Sequence, residues 1–185
     1  MAGRQLFAAV LLGAVPALGV AADLSALVPS TLFAQAGVGD QDTHAYVLGG
    51  TWDWPWQQHW RYATLSGYFE ADVGRWTSDV NGQERTVYTT QAGLTPVLRV
   101  RPSGRASPWF AEAGVGANLI LPLFHSGDKS FSTEFNFGDH FALGRDFGSR
   151  GQHELALRIE HFSNAGINHP NPGENFGQVR YSWRF

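Results

Sequence analysis

The chain has 185 residues, no cysteine and a formal net charge of −3, and 14% of its residues are aromatic. The lack of cysteine excludes disulfides, zinc–thiolate sites and thiol nucleophiles. A weakly negative charge without any basic run does not indicate nucleic-acid binding. A chain of this length is expected to form a single domain.

Residues 1–22 have the pattern of a secretory signal peptide. Arg4 supplies a positive charge, an apolar stretch runs from Leu6 to Gly19, and small residues around Ala21 offer a cleavage site. Beyond this stretch the sequence contains no run long and apolar enough to cross a bilayer as a helix. We therefore expect an exported mature chain, residues 23–185, which can be a membrane protein only as a β-barrel.

Eight strand-length segments, separated by turn signals, follow the signal peptide. They are expected at about residues 31–39, 43–52, 60–76, 84–100, 108–119, 132–147, 152–163 and 175–185. The number is even, and the segments are long for the strands of a soluble sheet. Both properties are typical of barrels that span the outer membrane.

Apolar and polar residues alternate along these segments, so each strand has two unlike faces. In the fifth segment Ala113 and Val115 share one face, whereas Glu112 and Asn118 belong to the other. A soluble barrel would bury the apolar face, but a membrane barrel turns it to lipid and fills its lumen with the polar face. The polar faces carry acids and bases in near balance, as a closed lumen requires. These residues are Glu70, Asp72, Glu112, Glu160, Arg99, Arg158, Arg180 and Arg184.

Aromatic residues also favour the membrane barrel. Tryptophans stand at segment ends, as in the interfacial girdle of outer-membrane barrels. They are Trp52, Trp54, Trp56, Trp60, Trp76 and Trp109. The chain ends Val179-x-Tyr181-x-Trp183-x-Phe185, which resembles the final strand that the barrel-assembly machinery recognises by its terminal Phe. The predicted fold is therefore all-β, an eight-stranded antiparallel transmembrane β-barrel in the bacterial outer membrane.

A His-x-Ser pair stands at the end of the seventh segment. Leu155, Leu157 and Ile159 share its apolar face, and the same parity carries on to His161 and Ser163. With both termini on the periplasmic side, this strand end reaches the outer leaflet, where a lipid-facing imidazole and hydroxyl have no packing purpose. The expected substrate is a lipid of that leaflet, which in Gram-negative bacteria is lipopolysaccharide.

These residue types predict acyl-ester hydrolysis. Ser163 would attack the carbonyl, and His161 would take up its proton and return it to the leaving alkoxide. Glu174, across an Asn/Pro/Gly-rich turn, is the expected acid that orients the imidazole. The Asn164 side chain and the Gly166 amide are the expected donors to the oxyanion.

The choice of acid depends on the local strand register. Strict alternation counted back from Phe185 turns Glu174 inward and brings Asn175 to His161. A β-bulge at the barrel rim, plausible beside Gly173, would flip that register and bring Glu174 to the ring. We expect the bulge, because a Ser/His pair without an acid would work poorly.

Two longer motifs resemble those of a known protein family. The run from Glu160 to Ile167, EHFSNAGI, and the run from Asn171 to Phe176, NPGENF, resemble the signature of the lipid A 3-O-deacylase (PagL-type) family. Gln35 to Gly39, QAGVG, is similar to that family as well. The resemblance implies an eight-stranded outer-membrane barrel that removes the 3-linked hydroxyacyl chain of lipid A. It also implies a Ser/His/Glu triad and no cofactor or metal, with Ser163, His161 and Asn164 carried over directly.

Two other functions remain open at this stage. A non-enzymatic structural or adhesion barrel would make His161 and Ser163 incidental, and lipid A mass spectrometry after expression in a heterologous host would decide this. A soluble lipid-binding barrel of the lipocalin kind would place Leu155 and Leu157 inside, and extraction behaviour would decide that. The acyl-chain preference and the oligomeric state, including a homodimer, are left open by the sequence.

Overall fold

A computed structural model describes residues 27–79, 86–103 and 107–185, and the predicted signal peptide, residues 1–22, lies outside the described residues. The strands are β1 (Thr31–Gly39), β2 (His44–His59), β3 (Ala63–Asp79), β4 (Thr86–Pro102), β5 (Trp109–Leu121), β6 (His125–Ser126), β7 (Lys129–Ser130), β8 (Phe135–Phe147), β9 (His153–Ser163) and β10 (Glu174–Arg184). A short 3₁₀ turn, Asp40–Asp42, joins β1 to β2.

Within the described residues, eight strands close into an antiparallel barrel, which confirms the predicted fold. Their order around the barrel is β1-β10-β9-β8-β5-β4-β3-β2, and β6 and β7 form a separate small hairpin. The C-terminus meets the start of β1, where Phe185 N donates to Ser30 O at 3.3 Å. We call the opposite end of the barrel the distal end. Across the described ranges, no helix is long and apolar enough to cross a membrane.

The strand bounds differ from the sequence prediction by a few residues, and most at the end of β2. β2 continues past Trp52 to His59, with a register shift between Asp53 and Gln57 around its proline. β5 runs to Leu121, and β8 begins only at Phe135. The sequence did not indicate the β6–β7 hairpin between them, because each of its strands has two residues and no alternation to detect.

Charged side chains fill the lumen and pair with one another. Glu70 accepts hydrogen bonds from Arg158 Nη1 at 3.0 Å and from Arg180 Nη1 at 2.6 Å. Arg158 Nη2 also donates to Glu160 at 2.7 Å. All four side chains are buried, so their mutual pairing offsets the cost of removing the charges from water. The outer wall is apolar, as predicted.

Aromatic rings close the distal end of the lumen. Trp76 stands at the centre, with ring centroids 4.8 Å from those of Phe162 and Phe176 and 5.3 Å from that of Phe124. The prediction that Trp76 belongs to the interfacial girdle is therefore wrong, since the parity of β3 turns it inward and it is buried. We call this group the distal aromatic cluster; it comprises Ala45, Trp76, Ile120, Phe124, Phe131, Phe162 and Phe176.

The segment between β5 and β8, residues 122–134, is called the distal loop. It packs over the mouth of the barrel, because Phe124 and Phe131 enter the distal aromatic cluster. Polar contacts fasten it to the rim, where Ser78 Oγ donates to His125 O at 2.8 Å. The loop therefore lies beside the end of β9, next to the predicted site.

Candidate active site

His161 and Ser163 lie at the distal end of β9, on its outward face. The alternation of β9 places them there, because Leu157 and Ile159 on the same face are 67% and 65% exposed, whereas Phe162 on the other face is fully buried. The structure thus agrees with the outward parity predicted for the pair. Among the hydrogen bonds of the described residues, none joins the His161 ring to Ser163. Catalytic hydrogen bonds are often long in enzymes without bound substrate, so this geometry is compatible with a base and its nucleophile.

The loop after β9, residues 164–173, begins with a sharp turn. Ala165 has φ 53° and Gly166 has φ 81°, and the left-handed conformation costs a non-glycine residue on the order of 1–3 kcal/mol. Asn164 supports the turn, because its buried Oδ1 accepts from Gly166 N at 2.9 Å. The residue directly after Ser163 therefore fixes the path by which the chain leaves the site.

Both expected oxyanion donors already donate hydrogen bonds to other groups of the protein. Asn164 Nδ2 donates to Asn168 O at 2.9 Å and to Ser132 Oγ of the distal loop at 3.1 Å. The Gly166 amide donates to the Asn164 side chain, as described above. Each of these N–H groups would have to give up one of these hydrogen bonds before it could donate to an oxyanion at Ser163.

Asn175, and not Glu174, is the neighbour of the His161 ring. β9 and β10 pair without a register shift, so Asn175 stands opposite His161 and Glu174 opposite Phe162. Asn175 Oδ1 lies 2.7 Å from His161 Nδ1. Glu174 points into the barrel and is fully buried. The expected bulge is not found in this strand pairing, and the structure therefore does not bring Glu174 to the imidazole.

A charged group lies behind Asn175. Asn175 Nδ2 donates to Asp40 Oδ2 at 3.1 Å, and Lys129 Nζ donates to the same oxygen at 2.6 Å. Lys129 also donates to Glu174 Oε2 at 3.1 Å. The hydrogen bond from the Lys129 ammonium holds the pKa of Asp40 below its usual range. Asp40 is therefore an anion at neutral pH.

A cavity of about 560 Å³ opens on the outer wall beside His161. Asn175, Val38 and Ile159 help to line it. Gly177 lies on the outward face next to Asn175, and a Cβ added there would meet no atom within 4 Å. The lining of this recess is mixed: Val38, Ile159 and Gly177 offer contacts to a hydrocarbon chain, whereas Asp40 and Asp139 are polar.

A second His/Ser pair lies in the distal loop. His125 Nδ1 is 2.8 Å from Ser130 Oγ across the β6–β7 hairpin. This pair is closer than His161 and Ser163, but it stands on a loop, and His125 is exposed. As for metals, residues 27–79, 86–103 and 107–185 contain no group of three or more His, Asp or Glu side chains placed to hold an ion.

Comparison with known proteins identifies the family of the chain. The family model described as lipid A 3-O-deacylase (PagL) matches residues 45–184. The chain belongs to this family. It is 32% identical to the lipid A deacylase PagL of Bordetella bronchiseptica over 152 residues, which are 80% of each chain. It is also 32% identical to the lipid A deacylase PagL of Pseudomonas aeruginosa over 155 residues, 83% of this chain and 80% of that one.

A solved PagL structure supports the same assignment. The crystal structure of the outer membrane enzyme PagL matches with a TM-score of 0.73 and 26% identity, and the match covers 84% of this chain and 99% of that one. Like that PagL, the chain is an outer-membrane β-barrel, and the predicted location is confirmed.

Sequence reasoning missed Asp40 and Lys129 at this site and named Asn175 without choosing it. Asn175 had a signal, since counting outward positions from Phe185 points it at His161. Asp40 and Lys129 had none, because they meet across 89 residues of sequence and lie in a short turn and a two-residue strand without periodicity. Only the closed barrel brings these two segments together at the distal end.

Proposed function

We propose that the chain is a lipid A deacylase that hydrolyses the ester-linked 3-hydroxyacyl chain at position 3 of lipid A. The observation that carries this proposal is the position of His161 and Ser163 on the outward face of β9 at the distal end, where His161 lines a cavity in the outer wall. A site in the lumen would be closed to a bilayer lipid by the distal aromatic cluster. Both curated relatives are named lipid A deacylases, which supports the substrate.

The first half-reaction is acyl transfer to the enzyme. Ser163 Oγ attacks the ester carbonyl while His161 Nε2 takes the hydroxyl proton, because Nδ1 is occupied by Asn175. The tetrahedral intermediate collapses with cleavage of the bond to the sugar oxygen. His161 gives its proton to that oxygen, so lipid A leaves as a free alcohol and the acyl chain stays on Ser163.

The second half-reaction hydrolyses the acyl-enzyme and regenerates the free enzyme. Water attacks the acyl carbonyl, and His161 takes one of its protons. Collapse of the second intermediate releases the 3-hydroxy fatty acid and reprotonates Ser163. The side chains of the site supply every proton transfer, and the proposed reaction needs no cofactor.

The imidazole needs an orienting partner, and we assign that role to Asn175. Its carbonyl oxygen accepts from His161 Nδ1, as the carboxylate of a Ser/His/acid triad would. Glu174, the acid expected from the sequence, is the second carboxylate that accepts a hydrogen bond from Lys129. In this arrangement it influences His161 only indirectly, through Lys129. The Asn164 side chain and the Gly166 amide stay our candidates for the oxyanion, on condition that substrate displaces one of their loop hydrogen bonds.

Lipid A mass spectrometry tests the proposal. The gene is expressed in a Gram-negative host without such an enzyme, and an empty vector is the matched control. We expect lipid A to lose the mass of one 3-hydroxyacyl group, tandem fragmentation to assign the loss to position 3, and free 3-hydroxy fatty acid to accumulate. Loss from another position would contradict the 3-O assignment alone. Unmodified lipid A with a folded barrel in the membrane would favour a structural or adhesion role.

A further inference from the structure

The hydrogen bonds behind His161 constrain its protonation. A carboxylate only accepts hydrogen bonds, so the Asn175 atom that faces Asp40 must be the amide nitrogen. The other end of the amide, Oδ1, therefore faces His161 Nδ1. A carbonyl oxygen also only accepts, so the hydrogen must be on Nδ1. In the neutral ring Nε2 then carries no proton and can act as a base.

We propose that Asp40 is a positioning residue of the esterase site: it fixes the orientation of the Asn175 amide and, through it, the tautomer of His161. The inference rests on the proposed function and deepens it. It explains how a site without a carboxylate on the imidazole can work, because the anion lies one amide group away. Nothing in the β9–β10 pairing itself would fix which end of the Asn175 amide faces the ring.

Asparagine alone is an ambiguous partner for an imidazole. If its amide turned over, Nδ2 would donate to Nδ1, and the hydrogen of the ring would move to Nε2. That tautomer cannot take the proton of Ser163. In a serine protease whose triad acid was replaced by its amide, the wrong tautomer lowers kcat by about 10⁴. Asp40 prevents this inversion as long as it is charged.

The surroundings keep Asp40 charged and in place. Lys129 donates to it at 2.6 Å and lowers its pKa through that hydrogen bond. Lys129 is itself held by buried Glu174 and lies in the hairpin of the distal loop. The other ionisable residues that line this cavity, from β8 and β9, are Asp139, His140 and Glu160, of which His140 and Glu160 are buried. Of these, Asp139 stands opposite His161 on the far side from Asn175.

A purely structural role for Asp40 would predict different behaviour. If Asp40 only tied the β1–β2 turn to the distal loop through Lys129, then Lys129→Met would damage activity as much as Asp40→Asn. Moving the carboxylate from position 40 to position 175 would also bring no benefit. If Asp40 fixes the amide, a carboxylate at position 175 makes it unnecessary, because either of its oxygens accepts from Nδ1.

The experiment compares Asp40→Asn, Asn175→Asp, the double variant and Lys129→Met in the full-length barrel. We expect Asp40→Asn to lower kcat by more than about tenfold and up to about 10⁴-fold, with KM little changed. The double variant should recover most of that loss, and Lys129→Met should lose less than Asp40→Asn. Heat-modified gel mobility checks that every variant is folded.

Two measurements report on the protonation of the His161 imidazole and not on the fold of the barrel. The ¹⁵N signals of the His161 ring should show hydrogen on Nδ1 in the wild type and a mixture in Asp40→Asn. The acid limb of the kcat/KM profile should move to higher pH in the double variant, because a carboxylate in contact with the ring favours its cation. Equal kcat for Asp40→Asn and the wild type, or a double variant no better than Asp40→Asn, would overturn the proposal. The ¹⁵N comparison tests Asp40 even if the wild type leaves lipid A intact, in which case the proposed function fails by itself.

Discussion

Phe162, the residue between His161 and Ser163, packs edge-on against Trp76 inside the barrel, with ring centroids 4.8 Å apart and planes at 65°. Since Phe162 is fully buried, its ring holds the end of β9 while its two neighbours face outward. The position of the proposed nucleophile thus depends on packing in the distal aromatic cluster.

Replacing Phe162 with Ala should lower the free energy of unfolding by about 3–5 kcal/mol, because a large buried ring is lost. Activity should fall as well, since the end of β9 loses its anchor. The measurement is the transition temperature of the heat-modified mobility shift, followed by a lipid A assay. Phe135→Ala is the control, because Phe135 is 38% exposed on the outer wall. Equal transition temperatures for the two variants would contradict an anchoring role.

Ser163→Ala should abolish release of 3-hydroxy fatty acid, because losing the nucleophile of such a site costs about 10⁶ in turnover. The barrel should stay folded, since Ser163 ends a strand. The structure offers a demanding control in Ser130→Ala, which removes the serine that is hydrogen-bonded to His125. We expect that variant to keep its activity. An inactive Ser130→Ala beside an active Ser163→Ala would move the nucleophile to the distal loop.

Charge reversal at Arg158 should destabilise the barrel. Arg158→Glu would leave Glu70 and Glu160 buried without this partner, and breaking a buried ion pair costs about 3–5 kcal/mol. The same reversal at exposed Arg150, in the turn after β8, should change little. The transition temperature on heating in detergent is the measurement. A stable Arg158→Glu barrel would mean that the lumen is hydrated enough to accept the unpaired acids.

Removing Phe185 should impair insertion into the outer membrane while export continues. Its side chain is 63% exposed and packs on Trp183, with ring centroids 4.9 Å apart. It is therefore available for recognition. Phe147→Ala, which removes another exposed ring at the same end of the barrel, should insert normally. The fraction of protein in the outer-membrane pellet checks both variants, and efficient insertion without Phe185 would argue against a C-terminal assembly signal.

A bulky side chain at Gly177 should block the cavity beside His161. Gly177→Trp should reduce deacylation of lipid A more strongly than hydrolysis of a short-chain nitrophenyl ester, since only the long chain needs the recessed wall. Ala113→Trp, on the outer wall of β5, introduces the same ring away from the site. Equal activity of the two variants on lipid A would show that the acyl chain lies elsewhere.

The barrel and the outward pair at His161 and Ser163 could be predicted because period-two alternation is a local property of sequence. The same rule, applied without interruption from Phe185, places Asn175 beside His161, as observed. The bulge invoked for Glu174 set that rule aside on the chemical expectation of an acid. Trp76 was misplaced for a related reason: its position near a strand end suggested the girdle, while its parity directed it inward.

Contacts between turns could not be predicted in this way. Asp40 and Asn175 are 135 residues apart, and their hydrogen bond depends on barrel closure between β1 and β10. Lys129 reaches Asp40 only because Phe124 and Phe131 seat the distal loop on the barrel mouth. A contact between two loops leaves no periodic pattern in the sequence from which it could be predicted.

The packed lumen has a consequence for the cell envelope. Ion-paired side chains cross its middle, and aromatic rings seal its distal end. Within the described residues, these two groups of side chains therefore obstruct the passage of solutes and ions through the lumen. We therefore expect that the protein can accumulate in the outer membrane without making that membrane permeable to solutes, and that its substrate reaches the site along the outer surface of the barrel.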